Sequence, residues 1–448
     1  TYTALVAPGE VVAKFYFTDD INSEEPLTMT TNVTAAGNSY IYNLIVGKKK
    51  IEVTGFKAGA WTAADGTTTG DLVAGIPFVT FTADQAQTFK MTPQGSYEIS
   101  GLQYSVNFGE WNNVVANEGV TFGGTNGTLR LRGTNIKGTG SGRFAHSIIT
   151  FTDKNVKVAC TGDIRTLLNW KSYSTVDTQK ARFYRLFYKC EALTSSPELP
   201  ATNLADACYY EMFTDCTSLT SAPDLPAKKL ADYCYESMFK GCRSLTSAPV
   251  LPATTLAVSC YNYMFSGTSL TSAPELKATT LENYCYEFMF CGCRSLTSAP
   301  VLPATKLAGK CYYGMFYGCT SLTSAPKLPA TELEDHCYGL MFRNCTSLTS
   351  APELKATTLA EGCYYTMFYG CTNLTSVTML APRDQITSKE RCCDDWLNNA
   401  GTSATARTLK VKDEAAYNAL VDKSYLPNNW KKDAASTTVL GENSNKIE

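Results

Sequence analysis

Large hydrophobic residues recur through the second half of the chain at nearly constant intervals. The most regular position is a phenylalanine, found at Phe187, Phe213, Phe239, Phe265, Phe290, Phe316, Phe342 and Phe368. Successive copies are 26 residues apart, except for the 25 residues between Phe265 and Phe290. Self-similarity at such a period is typical of repeat architectures, in which each copy is one small supersecondary unit.

Three rows of leucine keep the same register, and they begin at Leu193, Leu199 and Leu204. One repeat cannot bury such a set alone, whereas stacked copies cover one another, so we expect a solenoid. The Ser-Leu-Thr-Ser-Ala segment is the strand candidate in each copy. Proline lacks the N–H that a central strand needs, so Pro223 and its equivalents should end the strand. The stretch Cys-Tyr-x-x-Met-Phe is expected to form one or two helical turns on the opposite side.

The copy over residues 212–226 reads Met-Phe-Thr-Asp-Cys-Thr-Ser-Leu-Thr-Ser-Ala-Pro-Asp-Leu-Pro. This pattern resembles the BspA-like leucine-rich-repeat surface proteins, whose repeat is roughly Ala-Phe-x-x-Cys-x-x-Leu-x-x-Ile-x-Ile-Pro. The resemblance covers residues 182–382, although the repeat here is longer and carries Ala-Pro in the strand. It implies a bacterial cell-surface or secreted protein that is used in adhesion or host interaction.

The region before the repeats alternates apolar and polar residues between glycine-rich turns, which favours β-structure. Strands are predicted at 11–17, 40–46, 97–99, 102–106, 129–132 and 147–151. The run Tyr-Asn-Leu-Ile-Val-Gly-Lys at 42–48 is similar to the fimbrillin-type sandwiches. The predicted fold class is therefore an α/β-type leucine-rich-repeat solenoid, with short parallel strands and an irregular or short-helical convex side, preceded by all-β sandwich-like domains.

Four segments are predicted along the chain. They are a β-sandwich-like domain at 1–85, a second small β domain at 86–155, a solenoid of eight repeats with its N-terminal cap at 156–382, and a C-terminal cap with a polar tail at 383–448. Leu167, Leu168 and Trp170 are candidates to cover the first edge of the solenoid. Short helical patterns lie within the C-terminal cap at 390–399 and 414–421.

The charges of the chain nearly cancel, with 39 Lys and Arg against 41 Asp and Glu and a formal net charge of −2. The composition therefore gives no net positive charge that would attract nucleic acid or an anionic membrane. The sequence has no apolar run long enough for a transmembrane helix. It begins at Thr1 without a signal peptide, which is typical of a mature or trimmed chain, so export remains open.

Catalytic chemistry finds little support in the residue pattern. A hydrolase triad needs a base, and His146 and His336 are the two histidines of the chain. His336 stands where sister copies carry Tyr233 or Tyr284, so an exposed bystander is the better interpretation, and His146 is treated alike. The motifs of nucleotide, zinc-protease and EF-hand sites do not occur. We therefore assign no catalytic, cofactor or metal residue.

Eighteen cysteines, most of them in two rows, leave two interpretations open. The first row is Cys208, Cys234, Cys260, Cys285, Cys311, Cys337 and Cys363. The second row is Cys190, Cys216, Cys242, Cys293, Cys319, Cys345 and Cys371. Their spacing of eight does not suit zinc, and two copies lack one partner, which favours ladders of buried thiols over disulfides. Four cysteines lie outside the rows, and Cys291, Cys392 and Cys393 are three of them.

Comparison between copies identifies a candidate binding surface, because a few positions vary on an otherwise fixed frame. The first variable row is Glu198, Asp224, Val250, Glu275, Val301, Lys327, Glu353 and Met379. The second variable row is Tyr210, Glu236, Asn262, Glu287, Tyr313, Gly339 and Tyr365. Such variation is typical of recognition, and equally of unconstrained solvent-facing sites. By contrast, the tyrosine row that begins at Tyr209 barely varies and is interpreted as packing.

Three functions remain in contention at this point. The leading hypothesis is a bacterial cell-surface, outer-membrane-anchored or secreted binding protein, whose solenoid contacts a protein or glycan ligand such as host extracellular matrix. Eight strands would offer a surface on the order of 40 Å long. The second hypothesis is a structural component of a surface or fimbria-like assembly. The third is a glycan-active enzyme with accessory repeats, for which the sequence nominates no pair of facing carboxylates.

Overall fold

The computed structural model describes the backbone of residues 9–15, 27–33, 38–47 and 50–60, and all of residues 76–430. The chain divides into two compact units, Thr1–Gly75 and Ile76–Glu448. The division falls ten residues before the predicted boundary at 85/86. The predicted boundary at 155/156 lies inside the second unit, because strands on its two sides pair with each other.

Two antiparallel hairpins make up the described part of the first unit. Strand β1 (Gly9–Phe15) pairs with β2 (Leu27–Val33), and β3 (Asn38–Gly47) pairs with β4 (Lys50–Ala60). The strand predicted at 40–46 is thus confirmed, and β1 covers 11–15 of the one predicted at 11–17. The predicted sandwich and the fimbrillin-type resemblance depend on side chains and connections outside the described residues.

The second unit begins with two antiparallel sheets. Their strands are β5 (Val79–Thr82), β6 (Gln87–Gln94), β7 (Leu102–Val106), β8 (Asn112–Asn113), β9 (Val120–Phe122), β10 (Leu129–Gly133), β11 (Gly140–Gly142), β12 (Ala145–Phe151) and β13 (Ala159–Thr161). One sheet has the order β13-β5-β10-β7-β8 and the other has the order β11-β12-β6-β9. The strand predicted at 97–99 is wrong, because the chain turns after β6 at Gly95, which has a φ of 58°.

These sheets cover the first edge of the repeats and share one hydrophobic core with them. The Ile149 N–H donates to the Leu186 carbonyl at 2.7 Å, and the Val158 N–H donates to the Ala192 carbonyl at 2.9 Å. The ring of Phe81 contacts that of Phe187 edge-on, with 6.2 Å between centroids. A short helix, α1 (Thr166–Asn169), buries Leu167 and Leu168 beneath the sheets. Backbone groups that an open edge would leave unpaired are thereby satisfied.

The segment that carries the Cys-Tyr-x-x-Met-Phe motif is a ladder of turns, so the prediction of helical turns is wrong. Its amide groups alternate in direction. The Met238 N–H donates to the Tyr235 carbonyl three residues back, and the Phe239 N–H donates to the Met264 carbonyl of the next repeat. Every fourth residue has a positive φ, as at Tyr233 (58°). In a helix all backbone hydrogen bonds would stay within one segment. Here every second N–H group donates to a carbonyl of the next repeat.

The predicted strands form only at the C-terminal end of the described residues. There β14 (Ser350–Leu354), β15 (Ser376–Met379) and β16 (Thr408–Val411) make a parallel sheet. Earlier repeats contribute isolated bridges such as Ser298 to Ser324. Pro352 lies inside β14, so the expectation that proline ends the strand is wrong. The register shifts beside it, because proline has no N–H to give to the ladder.

Inner rows of identical side chains hold the repeats together. The phenylalanine rings from Phe187 to Phe368 stack on one another, with centroids 5.4–5.8 Å apart. The rings from Tyr209 to Tyr364 form a second stack at 5.7–6.3 Å. Both stacks are buried, which confirms that the invariant tyrosines pack. Each repeat therefore covers the apolar side of the next.

A ninth turn segment closes the C-terminal end, so the helix expected at 390–399 is wrong. Cys392 and Trp396 offer their carbonyls to Tyr364 and Phe368 of the last repeat. Helices α2 (Arg383–Ser388) and α3 (Glu414–Asp422) flank it, and α3 confirms the pattern at 414–421. The Trp396 indole donates to the Tyr425 carbonyl at 3.1 Å. None of the helices in the described part of the chain is long and apolar enough to cross a membrane.

Candidate functional site

The first variable row is exposed along the repeats. Its seven members from Glu198 to Glu353 are all exposed, and Val250 and Val301 reach 70% and 77% exposure. Met379 is the exception and is buried beneath the C-terminal cap. Exposing two apolar side chains to water in this way is unfavourable and does not stabilise the fold. This row is therefore the part of the predicted surface that a partner can reach.

The second variable row is largely packed between repeats. Tyr210 and Asn262 are buried, while Glu236, Glu287, Tyr313 and Tyr365 are partly buried. The Asn262 amide donates to the Glu287 carboxylate at 2.9 Å. Variation here is thus constrained by contacts between copies, and Tyr210 and Asn262 are not available to a partner.

Bulky rings in this part of the repeat sit above glycine in the following copy. A methyl group on Gly314 would overlap the ring of Phe288, and one on Gly339 would lie 2.8 Å from two carbons of the Tyr313 ring. Gly362 stands in the same relation to the ring of His336. The differences between copies are therefore compensated pairwise, because a large side chain needs space in its neighbour. Several positions that differ between copies are therefore not free to vary independently of the next repeat.

A cluster of charges joins the sheets to the first repeats. The Arg143 guanidinium lies 4.7 Å from the centroid of the Tyr210 ring and 3.8 Å from the Glu236 carboxylate. Arg185 pairs with Glu211 at 2.6 Å. Burial raises the pKa of Glu236 to about 7, against the opposing effect of Arg143. This cluster is a pH-sensitive joint between two parts of the unit.

The two histidines lie in different surroundings. His146 is buried in β12, and burial lowers its pKa, so its imidazole is neutral near pH 7. His336 is partly buried, and its ring centroid is 6.3 Å from that of Tyr313. The structure brings neither of them together with a nucleophile in the residues it describes.

All eighteen cysteines are free thiols, and all but Cys291 are buried. In the second row each thiol from Cys216 onward donates to a phenylalanine carbonyl of the preceding repeat, as from Cys319 to Phe290 at 3.1 Å. Burial raises the pKa of these thiols, so they are weakly nucleophilic. Thr268 occupies the second-row position of the fourth copy, and its hydroxyl donates to the Phe265 carbonyl at 2.8 Å. Cys392 continues the first row. Its backbone carbonyl accepts the Tyr364 N–H, as the Cys363 carbonyl accepts the Tyr338 N–H.

An outer aromatic surface lies on the turn segments of the later repeats. It includes Tyr317 and Tyr369, which follow the phenylalanine of their repeats directly, and Arg343 between them. The Arg343 guanidinium carbon is 4.2 Å from the centroid of Tyr369 and 6.0 Å from that of Tyr317. The copy comparison missed these residues, although the position after the phenylalanine varies as much as the second variable row does. Lys240, Ser266, Cys291 and Tyr317 occupy it in consecutive copies.

Metal ligands are not grouped in this fold, since residues 76–430 hold no cluster of three or more candidate side chains.

A comparison with protein-family models matches the BspA type leucine-rich repeat region, in six copies, at residues 183–297 and 261–392. No curated protein and no solved structure matches the chain significantly.

Proposed function

Because residues 183–392 are a BspA-type leucine-rich repeat region, we propose that this chain is a bacterial cell-surface or secreted binding protein. It recognises a ligand of the host surface or extracellular matrix through the outer side chains of its repeats. The sheets before the repeats serve as a rigid cap, and the unit 1–75 lies on the N-terminal side of it in sequence.

The observation that supports this proposal best is the exposure of the first variable row. Seven successive copies place glutamate, aspartate, valine or lysine at one exposed position while the inner rows stay nearly constant. The phenylalanine stack advances by 5.4–5.8 Å for each copy. The six steps between these seven positions give a row on the order of 35 Å long, which suits a protein interface of standard size. The exposed Val250 and Val301 would supply its apolar contacts.

The test is direct binding of the full chain to a panel of matrix proteins and glycans, measured by surface plasmon resonance. The variant carries Val250→Arg and Val301→Arg, which should lower affinity at least about tenfold without unfolding, since both side chains are already exposed. Val115→Arg is the matched control, because Val115 is also exposed, at 54%, but lies in the loop between β8 and β9, outside the repeats.

Saturable binding that the double variant loses and the control keeps would support the proposal. If both variants still bind, the ligand is recognised outside the first variable row. If the panel gives no binding and sedimentation shows that the chain assembles with itself, the adhesin function is refuted in favour of a structural role.

A further inference from the structure

The turn side of the last three repeats carries four tyrosines that take no part in the hydrophobic core. These are Tyr313, Tyr317, Tyr365 and Tyr369, here called the tyrosine strip. All four are partly exposed, in contrast to the buried rings of the inner tyrosine stack. They come from the sixth and eighth repeats, and Gly339 occupies the equivalent place between Tyr313 and Tyr365. Partly exposed tyrosines beside one another offer ring faces together with hydroxyl groups.

Three cations line this strip. Arg343 lies between the rings of Tyr317 and Tyr369, and the Arg391 guanidinium carbon is 4.7 Å from the centroid of Tyr365. The ammonium nitrogen of Lys310 is 5.6 Å from the centroid of Tyr313. Tyr313 is within electrostatic range of Tyr365, Arg343 and Arg391, so the parts of the strip belong to one surface.

The positive charge of the strip is only partly balanced by the chain itself. Arg391 has a carboxylate at 3.5 Å, that of Asp394, and Lys310 acts electrostatically on Glu287. Arg343 forms no ion pair with any carboxylate in residues 76–430. Its Nε atom is shielded from solvent and has no hydrogen-bond partner among the described residues. The buried Nε is out of reach of a ligand, so an anionic group would bind at the terminal nitrogens of this guanidinium, which two rings hold in place and no carboxylate of the described residues neutralises.

We propose that the tyrosine strip binds an acidic oligosaccharide, with Arg343 holding a carboxylate or sulfate and the tyrosines stacking on the sugar rings. A linear glycan presents sugar rings at regular intervals, and the strip presents two pairs of rings that are two copies apart, with Arg343 between them. Pyranose rings place their C–H faces on tyrosine while their hydroxyls stay hydrated. A single-stranded nucleic acid fits less well, because it needs a broader basic surface than three cations on a chain of net charge −2.

This inference rests on the proposed binding function and names a site and ligand class for it. The first variable row carries its own test, through Val250 and Val301, so the two can fail separately. A chain that loses matrix-protein binding on substitution of Val250 and Val301 but ignores acidic glycans would keep its proposed function and lose this site.

The experiment is calorimetric titration of the full chain with oligosaccharides of equal length. One probe is a hyaluronan fragment, which carries carboxylates alone, another is a chondroitin sulfate fragment, and the third is a neutral cello-oligosaccharide. Binding of an acidic probe and not of the neutral one is expected. Chondroitin sulfate carries a carboxylate and a sulfate in each disaccharide, so binding of this probe alone would assign the sulfate to Arg343, and equal binding of both acidic probes would assign the carboxylate.

The decisive variant is Arg343→Gln, which keeps a side chain of similar length and removes the charge. It should weaken binding of the acidic probe at least about tenfold. Arg243→Gln is the matched control, because Arg243 is an exposed arginine of the same stack outside the strip. Tyr369→Leu should weaken binding too, and Tyr233→Leu, at another exposed tyrosine, should not. Thermal unfolding checks that each variant folds.

Equal losses in the two arginine variants would mean unspecific attraction between charges and overturn the proposal. Unchanged binding in Arg343→Gln, or no binding of either acidic probe, would overturn it as well. A single-stranded oligonucleotide that displaces the glycan at similar concentration would show that the strip reads another class of polymer.

Discussion

The second cysteine row allows a quantitative test of how the repeats are held together. Cys319 is fully buried, and its thiol donates to the Phe290 carbonyl. We predict that Cys319→Ala lowers the free energy of unfolding by about 1–2 kcal/mol. Loss of a buried group the size of a methylene costs about 1 kcal/mol, and a weak thiol donor adds a few tenths. The Phe290 carbonyl still accepts the Cys293 N–H at 3.1 Å, so no buried carbonyl is left unpaired.

The same measurement separates thiols from disulfides. If Cys311 and Cys319 are independent thiols, the costs of Cys311→Ala and Cys319→Ala should add in the double variant. If they formed a disulfide, the second substitution would cost little more, and a reductant would lower the stability of the native chain by about 2–4 kcal/mol. Urea unfolding followed by tryptophan fluorescence, with and without reductant, measures both quantities.

Alkylation provides the direct count. Every thiol but that of Cys291 is buried, so iodoacetamide should modify the folded chain at Cys291 at most. Burial also raises the pKa of the thiols in the two rows, as at Cys319, whereas a hydrogen bond with Cys393 lowers the pKa of Cys392, which is protected by its burial alone. In denaturant without reductant, all 18 cysteines should react. A count that falls short by pairs would refute the free-thiol reasoning and restore the disulfide alternative.

Three further changes test other parts of the structure. Gly339→Ala should cost about 1–3 kcal/mol in urea unfolding because the methyl group meets the Tyr313 ring, and Tyr313→Ala in the same chain should recover part of that cost, whereas additive losses would contradict the contact. Burial raises the pKa of Glu236, so the folded state holds its proton more tightly than the unfolded state does. The contribution of Glu236 to stability is therefore greatest below its ordinary pKa of 4.5 and is lost as the pH rises toward about 7. Glu236→Gln should abolish this fall and stabilise the chain by about 1–3 kcal/mol near pH 8, and an unchanged pH profile would exclude Glu236 as its source. Trp396→Ala should cost about 3–5 kcal/mol and raise amide exchange first in the last repeats, while uniform exchange along the stack would speak against a local cap.

The inner frame could be predicted from the sequence because its side chains recur at one period. The phenylalanine, leucine and tyrosine rows are buried as expected, and the two cysteine rows are thiols in the structure. A repeat that must bury the same face in every copy repeats the same residues, so periodicity alone reports the core. The family match over 183–392 confirms the resemblance that the motif carried.

The backbone of the turn segment could not be predicted in the same way. A short apolar motif is compatible with a helix, and nothing in its periodicity reveals that alternate amides leave the segment. One signal was present, however, two residues after each phenylalanine except Phe187, where Lys189 stands. Asp215, Gly241, Gly267, Gly292, Gly318, Asn344 and Gly370 occupy that position. Aspartate, asparagine and glycine tolerate a positive φ, which all seven of them adopt.

The direction of the amide ladder explains why both ends of the stack need their caps. N–H groups of each turn segment donate to carbonyls of the following one, so the last repeat has donors without partners and the first has carbonyls without partners. The segment around Cys392 and Trp396 supplies the missing carbonyls, and Ile149 supplies an N–H to Leu186 at the other end. Backbone pairing and inner side chains thus hold the frame without help from the outer ones. Substitution at Val250, Val301 or Arg343 can therefore change what the surface contacts while leaving the stack intact, which is the condition that a recognition surface on repeats must meet.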